Sequence, residues 1–218
     1  MAKRIDARQA VDYVSDGMTV MIGGFMSNGT PEILMDALVK KGVKDLTVIA
    51  NDTGTPGTGI AKLIAAGAIK RLIATHIGLN PQTGALMNEG KLDVTLVPQG
   101  TLAEQIRAGG AGLGGVLTPT GIGKAVADGK EIVVVNGRQY LLELPLRAGV
   151  ALLRGAVGDA GGNTFYRGTT RNFNPMMATA ADVVIMAAAE LVPVGGIDGE
   201  AVVTPGIFVD YIVEGEPA

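Results

Sequence analysis

The first half of the chain alternates short apolar runs with helical patterns, and this alternation constrains its fold most. The apolar runs are bounded by turn-forming residues and have the length of buried strands. They cover 19–22, 46–50, 71–75 and 94–97, and the intervening helical patterns cover 6–15, 31–41, 58–66 and 82–88. Repeated strand–helix units of this length produce parallel strands with helices on both faces. We therefore predict an α/β fold with a mostly parallel open sheet covered by helices.

The pattern changes near residue 131, where two hairpin signals follow. An apolar run reaches Asn136-Gly137 and is followed by QYLLEL, which is typical of a two-residue type I′ hairpin. A second hairpin is expected around Gly161-Gly162, then a helix over 175–181 and a buried strand over 182–187. With 33 glycines, 47% apolar residues and no repeat or linker, the chain is expected to form one domain, 1–218, with a smaller antiparallel β lobe at about 131–170.

Charge and composition exclude several classes of function. The net charge is −3 without a long basic run, which opposes a nucleic-acid partner. A single histidine and no cysteine argue against a zinc or iron–sulfur site, so we predict no metal. We also expect no resident cofactor. The apolar stretch 180–189 contains Asp182 and is shorter than the ~20 residues of a membrane span. The N-terminus does not resemble a signal peptide, so we expect a cytoplasmic protein without membrane contact.

A glycine-rich loop, 23–29, separates the first predicted strand from the helix after it. Thr30 is expected to cap this helix, Pro31 to begin it, and Glu32 to interact with its dipole. In open α/β sheets such loops bind ligands, with free N–H groups facing an acyl or phosphate oxygen. The alternative is a tight turn without a ligand.

Neutral hydrogen-bond donors follow other predicted strands. Asn51 and Gln99 each come just after a strand, and together with the backbone of Gly24 they suggest an oxyanion-binding edge of the sheet. His76 also follows a strand and is either a catalytic base or, more often for such a residue, a structural one.

A second glycine-rich stretch, 98–121, follows the strand at 94–97. It predicts an anion-binding nest or a mobile turn. Within it, Thr101 and Glu104 have capping-box spacing, and Gly109 is expected just after the last helical turn.

Three familiar nucleotide-binding and hydrolase motifs are absent from the sequence. Gly23, Gly24 and Gly29 do not form G-x-G-x-x-G, and Gly123-Lys124 lacks the spacing of a phosphate loop. Ser27 is not in a G-x-S-x-G elbow. The site must therefore be identified by other residues.

Longer segments resemble the α subunit of the family I coenzyme A transferases. The resemblance lies in DGMTVMIGGFMSNGTP from Asp16, NDTG from Asn51, HIGLNPQTG from His76, PQGTLAEQIRAGGAGLGG from Pro98, RNFNP from Arg171 and VTPG from Val203. It extends over nearly the whole chain and is greatest to the butyrate/acetate-acetoacetate branch of the family.

This resemblance implies a ping-pong transfer of coenzyme A through a glutamyl thioester. The family's glutamate lies in a Ser-Glu-Asn-Gly motif on a β subunit, and this chain has no such motif. The implied partners are that β subunit, an acyl-CoA and a short-chain carboxylate, with coenzyme A as substrate carrier. The resemblance implies that Gln99 lies in the oxyanion hole and that Asn51 lines the acyl pocket. It also implies that the thioester end of coenzyme A contacts the loop residues Gly23, Gly24, Phe25, Met26, Ser27, Asn28 and Gly29. His76 is grouped with that loop, and its role stays open.

Two other functions are compatible with such a fold. One is a stand-alone sugar-phosphate isomerase or deaminase, which would need its own base and a phosphate clamp. The other is a metabolite-binding or regulatory domain without catalytic activity.

Overall fold

The structure is a computed structural model and describes residues 2–215. Its strands are β1 Lys3–Arg4, β2 Thr19–Ile22, β3 Leu46–Ile49, β4 Ile69–Ala74, β5 Asp93–Leu96, β6 Val116–Thr118, β7 Ile132–Val135, β8 Arg138–Glu143, β9 Ala148–Asp159, β10 Thr164–Phe165, β11 Ala181–Val192 and β12 Tyr211–Glu214. Its α-helices are α1 Ala7–Val11, α2 Glu32–Lys41, α3 Ala61–Ala65, α4 Pro81–Asn88, α5 Gln99–Ala111 and α6 Asn174–Met177.

The main sheet has the strand order β1-β12-β11-β9-β2-β3-β4-β5, and every pair along it is parallel. From β2 the chain builds outward to β5 on one side, whereas β9, β11 and β12 extend the sheet on the other. The seam between β2 and β9 is therefore a topological switch point, where the loops at the carboxyl ends of the strands diverge and leave a crevice. The predicted α/β fold class is confirmed.

Both faces of the sheet are buried at its centre, in β2, β3 and β9, as the continuous apolar strands predict, whereas the edge strand β5 is largely exposed. Val20 and Ile22 point into one hydrophobic cluster with α1, α2 and α3, while Met21 points into a second cluster with α5 and α6. Because successive strand residues alternate between faces, β2 contributes to both clusters. The sheet is thus a rigid layer that fixes the positions of its loops.

The helices flanking β2 form where they are predicted, but one is shorter than expected and one predicted cap is wrong. Asp6 caps α1 in a capping box with Gln9, although this helix ends at Val11 rather than at residue 15. Gly42 ends α2 in the left-handed conformation, as predicted. The capping role of Thr30 is wrong, because α2 starts at Glu32 and has no side-chain cap.

The predicted start of α5 is wrong, and residues 99–111 of the second glycine-rich stretch form this helix rather than a loop. The helix begins at Gln99, so Thr101 lies inside it, and the Thr101 hydroxyl is buried without a partner among residues 2–215. The helix continues through Gly109 and ends at Gly112. A Cβ on Gly109 would overlap the carbonyl of Leu146, so this glycine permits close packing rather than a loop.

The antiparallel lobe differs from its predicted bounds. It is a three-stranded sheet in the order β6-β8-β7, and it covers 116–143 instead of 131–170. Its hairpin turn at Asn136-Gly137 is as predicted, with φ of 51° and 76°. The difference arises because β9 is a 12-residue strand of the main sheet, while its hairpin with β10 confirms the second predicted turn.

A buried carboxylate connects this lobe to the main sheet's helices. Glu143 is almost fully buried and accepts hydrogen bonds from Gln105 Nε2 at 3.0 Å and Lys130 Nζ at 2.7 Å. Because Gln105 belongs to α5, the lobe is fixed to the helix that begins at Gln99. No helix within residues 2–215 has the length and apolar character needed to cross a membrane.

A second buried carboxylate, Asp159, organises the turn after β9. Burial raises the pKa of this carboxyl, but hydrogen bonds from Asn163 and from the N–H groups of Gly161 and Gly195 outweigh burial and hold the pKa below its usual range. Its charged form therefore stabilises the fold above the unfolded pKa of about 3.9, and this contribution is lost as the pH falls through the lower folded pKa.

We expect Asp159→Asn to lower the free energy of unfolding at pH 7 by about 2 kcal/mol, because an amide NH₂ would face donors that now meet a carboxylate. The difference from wild type should shrink as the pH falls below ~4, because the unfolded wild-type chain then binds a proton at Asp159 that the folded protein binds only at a lower pH. Urea unfolding of the variant and of wild type, at pH 7 and at a pH below ~4, measures this difference in the free energy of unfolding. Asp198→Asn is the control and should change stability by less than about 0.5 kcal/mol, because Asp198 is exposed and its carboxylate accepts a single hydrogen bond within residues 2–215, from Glu200 N. Equal losses in both variants, or a constant difference across pH, would contradict the assignment.

Candidate active site

A cleft of about 370 Å³ lies at the carboxyl edge of the main sheet, beside the seam between β2 and β9. One wall comes from the loops after β2, β3 and β5, and the other comes from the segment 169–176, which runs into α6. Its lining residues are Phe25, Asn51, Gln99, Thr169, Asn172, Phe173 and Met176. The structure therefore brings together two of the three predicted donors, Asn51 and Gln99, with the aromatic residue of the glycine-rich loop.

The glycine-rich loop is a small hairpin that satisfies most of its own backbone. Phe25 and Asn28 exchange two N–H···O bonds of 2.9 Å across Met26 and Ser27, which have φ of 52° and 67°. This is the geometry of a type I′ turn. The side chain of Phe25 is thereby presented, partly exposed, at the cleft.

The free N–H groups predicted for this loop are largely engaged by the protein. Gly23 N donates to the carbonyl of Leu152, and Gly24 N donates to Asn172 Oδ1 at 3.1 Å. Met26 N donates to the buried carboxylate of Asp52 at 2.9 Å. The N–H of Gly24, predicted as an oxyanion donor, is therefore engaged by Asn172 in this structure, and Gly24 does not line the cleft.

The chain itself explains why Gly23 and Gly24 have no side chains. A Cβ on Gly23 would overlap Asn174 Oδ1, and a Cβ on Gly24 would overlap the hydroxyl of Thr30. Gly24 also has φ of 125°, which favours glycine. Side chains of the protein, and not a ligand, lie against the backbone of these two glycines. The alternative of a tight turn without a ligand therefore accounts for Gly23 and Gly24.

Asn51 is a buried carboxamide held in one orientation. Its backbone carbonyl and its Oδ1 lie 2.8 and 2.9 Å from Thr75 Oγ1. Its Nδ2 has no hydrogen-bond partner within the described part of the chain, and the residue lines the cleft. An NH₂ group held in this way could act as a preorganised donor to an oxygen that gains negative charge.

Gln99 is the first residue of α5, which is 13 residues long. Its side chain is exposed and lines the cleft without a hydrogen-bond partner among residues 2–215. The positive end of the helix dipole lies at this position, so the site adds a favourable field for an anion to a neutral amide donor.

His76 lies outside the residues that line the cleft. Its ring centroid is 6.1 Å from that of Phe25, and its Nδ1 is 3.4 Å from Thr75 Oγ1. These contacts to Phe25 and Thr75 favour the structural alternative for His76.

Sequence reasoning assigned no role to the far wall of the cleft, Thr169, Asn172, Phe173 and Met176. The RNFNP segment from Arg171 was part of the resemblance, but its role was not predicted. The available signal was two asparagines around a phenylalanine after a strand, which is typical of side chains that bond to backbone groups.

The cleft is chemically incomplete. Among residues 2–215, no carboxylate, lysine, arginine or histidine lines it, and no cluster of potential metal ligands occurs in that part of the chain. The wall can therefore donate hydrogen bonds to a reacting oxygen, but it supplies no nucleophile, base or phosphate clamp.

The fold is an α/β fold with a parallel sheet, and its cleft is lined by neutral polar and apolar side chains. The family model described as coenzyme A transferase matches residues 4–215. The chain belongs to the coenzyme A transferase family.

Two relatives match along almost their whole length. The acetoacetyl-CoA:acetate/butyrate CoA transferase alpha subunit of Clostridium acetobutylicum is 54% identical over 206 residues, covering 94% of each chain. The acetate CoA-transferase subunit alpha of Escherichia coli is 51% identical over 211 residues, covering 97% of this chain and 96% of that one. At this level of similarity, the chain is a CoA-transferase subunit.

Solved structures of lower identity share the fold. An acyl-CoA transferase from Escherichia coli, in a thioester complex with CoA, superposes with a TM-score of 0.85 at 21% identity over 97% of this chain. The match spans 49% of that chain, so this protein is about half its length. Glutaconate coenzyme A-transferase from Acidaminococcus fermentans has a TM-score of 0.85 at 19% identity, with 97% of this chain and 75% of that chain covered.

Proposed function

We propose that this protein is the α subunit of a short-chain acyl-CoA:carboxylate CoA-transferase of the acetoacetate, butyrate and acetate class. The observation that carries the proposal is the cleft that offers neutral donors from Asn51 and Gln99 but no nucleophile. A second polypeptide, the β subunit, would supply the missing carboxylate. The names of the two relatives described above, both alpha subunits, support this assignment.

The proposed reaction proceeds through two covalent states of the partner's glutamate. The carboxylate oxygen of the glutamate attacks the thioester carbon, and the C–S bond breaks. The CoA thiolate departs, and the glutamate now carries the acyl group as an acyl-glutamyl anhydride. The thiolate then attacks the glutamyl carbonyl, which releases the acyl group as a free carboxylate and forms a glutamyl-CoA thioester. An incoming carboxylate reverses these steps and leaves as the new acyl-CoA. Coenzyme A is a substrate carrier, and the mechanism needs no resident cofactor.

Each of these steps passes through a tetrahedral carbon with a negatively charged oxygen. In the proposed role, Gln99 and Asn51 donate hydrogen bonds to that oxygen or to the acyl carbonyl, and the α5 dipole adds to the same field. Neutral donors suit this reaction, because a permanent positive charge would also bind the free carboxylates tightly and slow their release.

The shape of the cleft favours a short, largely apolar acyl group. Phe25, Phe173 and Met176 form apolar walls, and no cation lines the cleft within the described residues to pair with a second carboxylate. The neutral lining opposes the sugar-phosphate alternative, since a phosphate needs charged or backbone N–H partners.

Co-expression with the β subunit tests the proposal. We expect the purified pair to transfer CoA from acetoacetyl-CoA or butyryl-CoA to acetate, and the single chain to be inactive. Borohydride reduction after incubation with acyl-CoA should modify one glutamate of the β subunit, detected by peptide mass spectrometry. Activity of the single chain on a phosphosugar, or a stable partner-free monomer with a tightly bound metabolite, would contradict the proposal.

A further inference from the structure

One side chain, Asn172, joins the two walls of the cleft. Its Oδ1 accepts the N–H of Gly24 at 3.1 Å and the N–H of Phe173 at 2.7 Å. Gly24 immediately precedes Phe25, so one oxygen atom holds the backbones beside both aromatic walls. Gly24 and Asn172 are 148 residues apart in sequence, so the distance between the two walls is not fixed by chain connectivity.

The amide nitrogen of Asn172 makes the same connection a second time. Nδ2 donates to the carbonyl of Asn28 at 3.0 Å on the hairpin side and to the carbonyl of Thr169 at 3.0 Å on the other. Asn28 in turn donates from its own side chain to the Thr169 hydroxyl. The carboxamide of Asn172 is thus hydrogen-bonded to both walls, through its Oδ1 and through its Nδ2. Asn172 has no amide hydrogen-bonding role left for a substrate.

We propose that Asn172 is a positioning residue that sets the distance between Phe25 and Phe173 and thereby limits the size of the acyl group that the cleft accepts. The proposal rests on the proposed CoA-transferase function and adds a determinant of its chain-length specificity. Its physical basis is that a hydrophobic pocket discriminates between chains by how closely its walls fit the added methylene groups. If the hairpin is released from the far wall, the pocket can widen.

The test is the ratio of kcat/KM for hexanoate to kcat/KM for acetate, measured with butyryl-CoA as donor in the complex with the β subunit. Asn172→Ala should raise this ratio about tenfold, because the wider cleft accepts the longer chain while contacts to acetate weaken. A loss of folded protein alone would lower both values equally and leave the ratio unchanged. Asn172→Ser, which retains an oxygen near Phe173 N but is too short to reach Gly24 N, should shift the ratio in the same direction if the alanine variant does not fold.

Asn163→Ala is the matched control. Asn163 is similarly half-buried, and its side chain joins two segments by bonding to Gly206 N at 2.8 Å and to Asp159 at 3.0 Å, but it does not line the cleft. We expect lower stability with an unchanged ratio. An unchanged ratio in both Asn172 variants, or an equal change in the Asn163 variant, overturns the inference while the wild-type pair remains active. An inactive wild-type pair would instead overturn the proposed function, and this inference with it.

Discussion

Gln99→Ala is expected to lower the kcat of the assembled two-subunit enzyme by about 10²- to 10³-fold. Removing one preorganised donor to a developing oxyanion typically has an effect of this size, because the donor acts mainly in the transition state. The Gln99 side chain is exposed and makes no hydrogen bond within residues 2–215, so its loss should not change folding. Steady-state kinetics with acetoacetyl-CoA and acetate, combined with a thermal melt, separates the two effects.

Gln82→Ala is the control for this variant. Gln82 is also exposed in the first turn of a helix, α4, but it does not line the cleft. It should keep kcat within about twofold of wild type if ordinary surface changes are harmless. A Gln99→Ala enzyme with wild-type turnover would remove the amide from the mechanism, and Asn51 would remain as the candidate donor.

The second large effect is expected at Gly23. A Cβ at this position would overlap Asn174 Oδ1, and Asn174 is fully buried, with its amide donating to the carbonyls of Gly29 at 3.0 Å and Thr170 at 2.8 Å. Gly23→Ala must therefore displace this side chain or the hairpin. We expect a loss of about 3 kcal/mol in the free energy of unfolding, together with most of the transferase activity, because the hairpin carries one wall of the cleft.

Gly84→Ala provides a comparison with the same chemical change. Gly84 lies inside α4, and nothing is within 4 Å of an added Cβ. This variant should be more stable than wild type by up to about 1 kcal/mol, since alanine favours the helix. Denaturant unfolding of both variants measures the difference. If Gly23→Ala is as stable as wild type, the close packing of the hairpin against Asn174 is disproved.

The parallel half of the sheet could be predicted because its signals are local. Each strand from β2 to β5 is a short apolar run with turn formers on both sides, and each lies within two residues of its predicted bounds. β9 was missed because its signal is not local. Its residues Ala148–Asp159 contain three glycines and an arginine, and it becomes a strand through pairing with β2 and β11 on both sides.

One wall of the cleft could be predicted from the sequence, and the other could not. Asn51 and Gln99 could be proposed because polar residues after parallel strands meet at one edge of the sheet. The roles of Asn172 and Asn174 depend on contacts across about 145 residues of sequence, such as the bond from Asn174 to the carbonyl of Gly29. A single sequence does not contain that distance information, so the far wall and the true neighbours of Gly23 and Gly24 were not predicted.

Because the cleft lies beside the seam between β2 and β9, ligand binding in the cleft is thermodynamically linked to the pairing of the two parts of the sheet. Phe25, Asn51 and Gln99 belong to the part of the chain before the seam, whereas the 169–176 wall belongs to the part after it. Neither part alone can form the binding surface. A ligand held between them must therefore oppose separation of the two parts, in proportion to its occupancy. Substrate binding and cohesion of the sheet are therefore linked equilibria, and a change in one shifts the other.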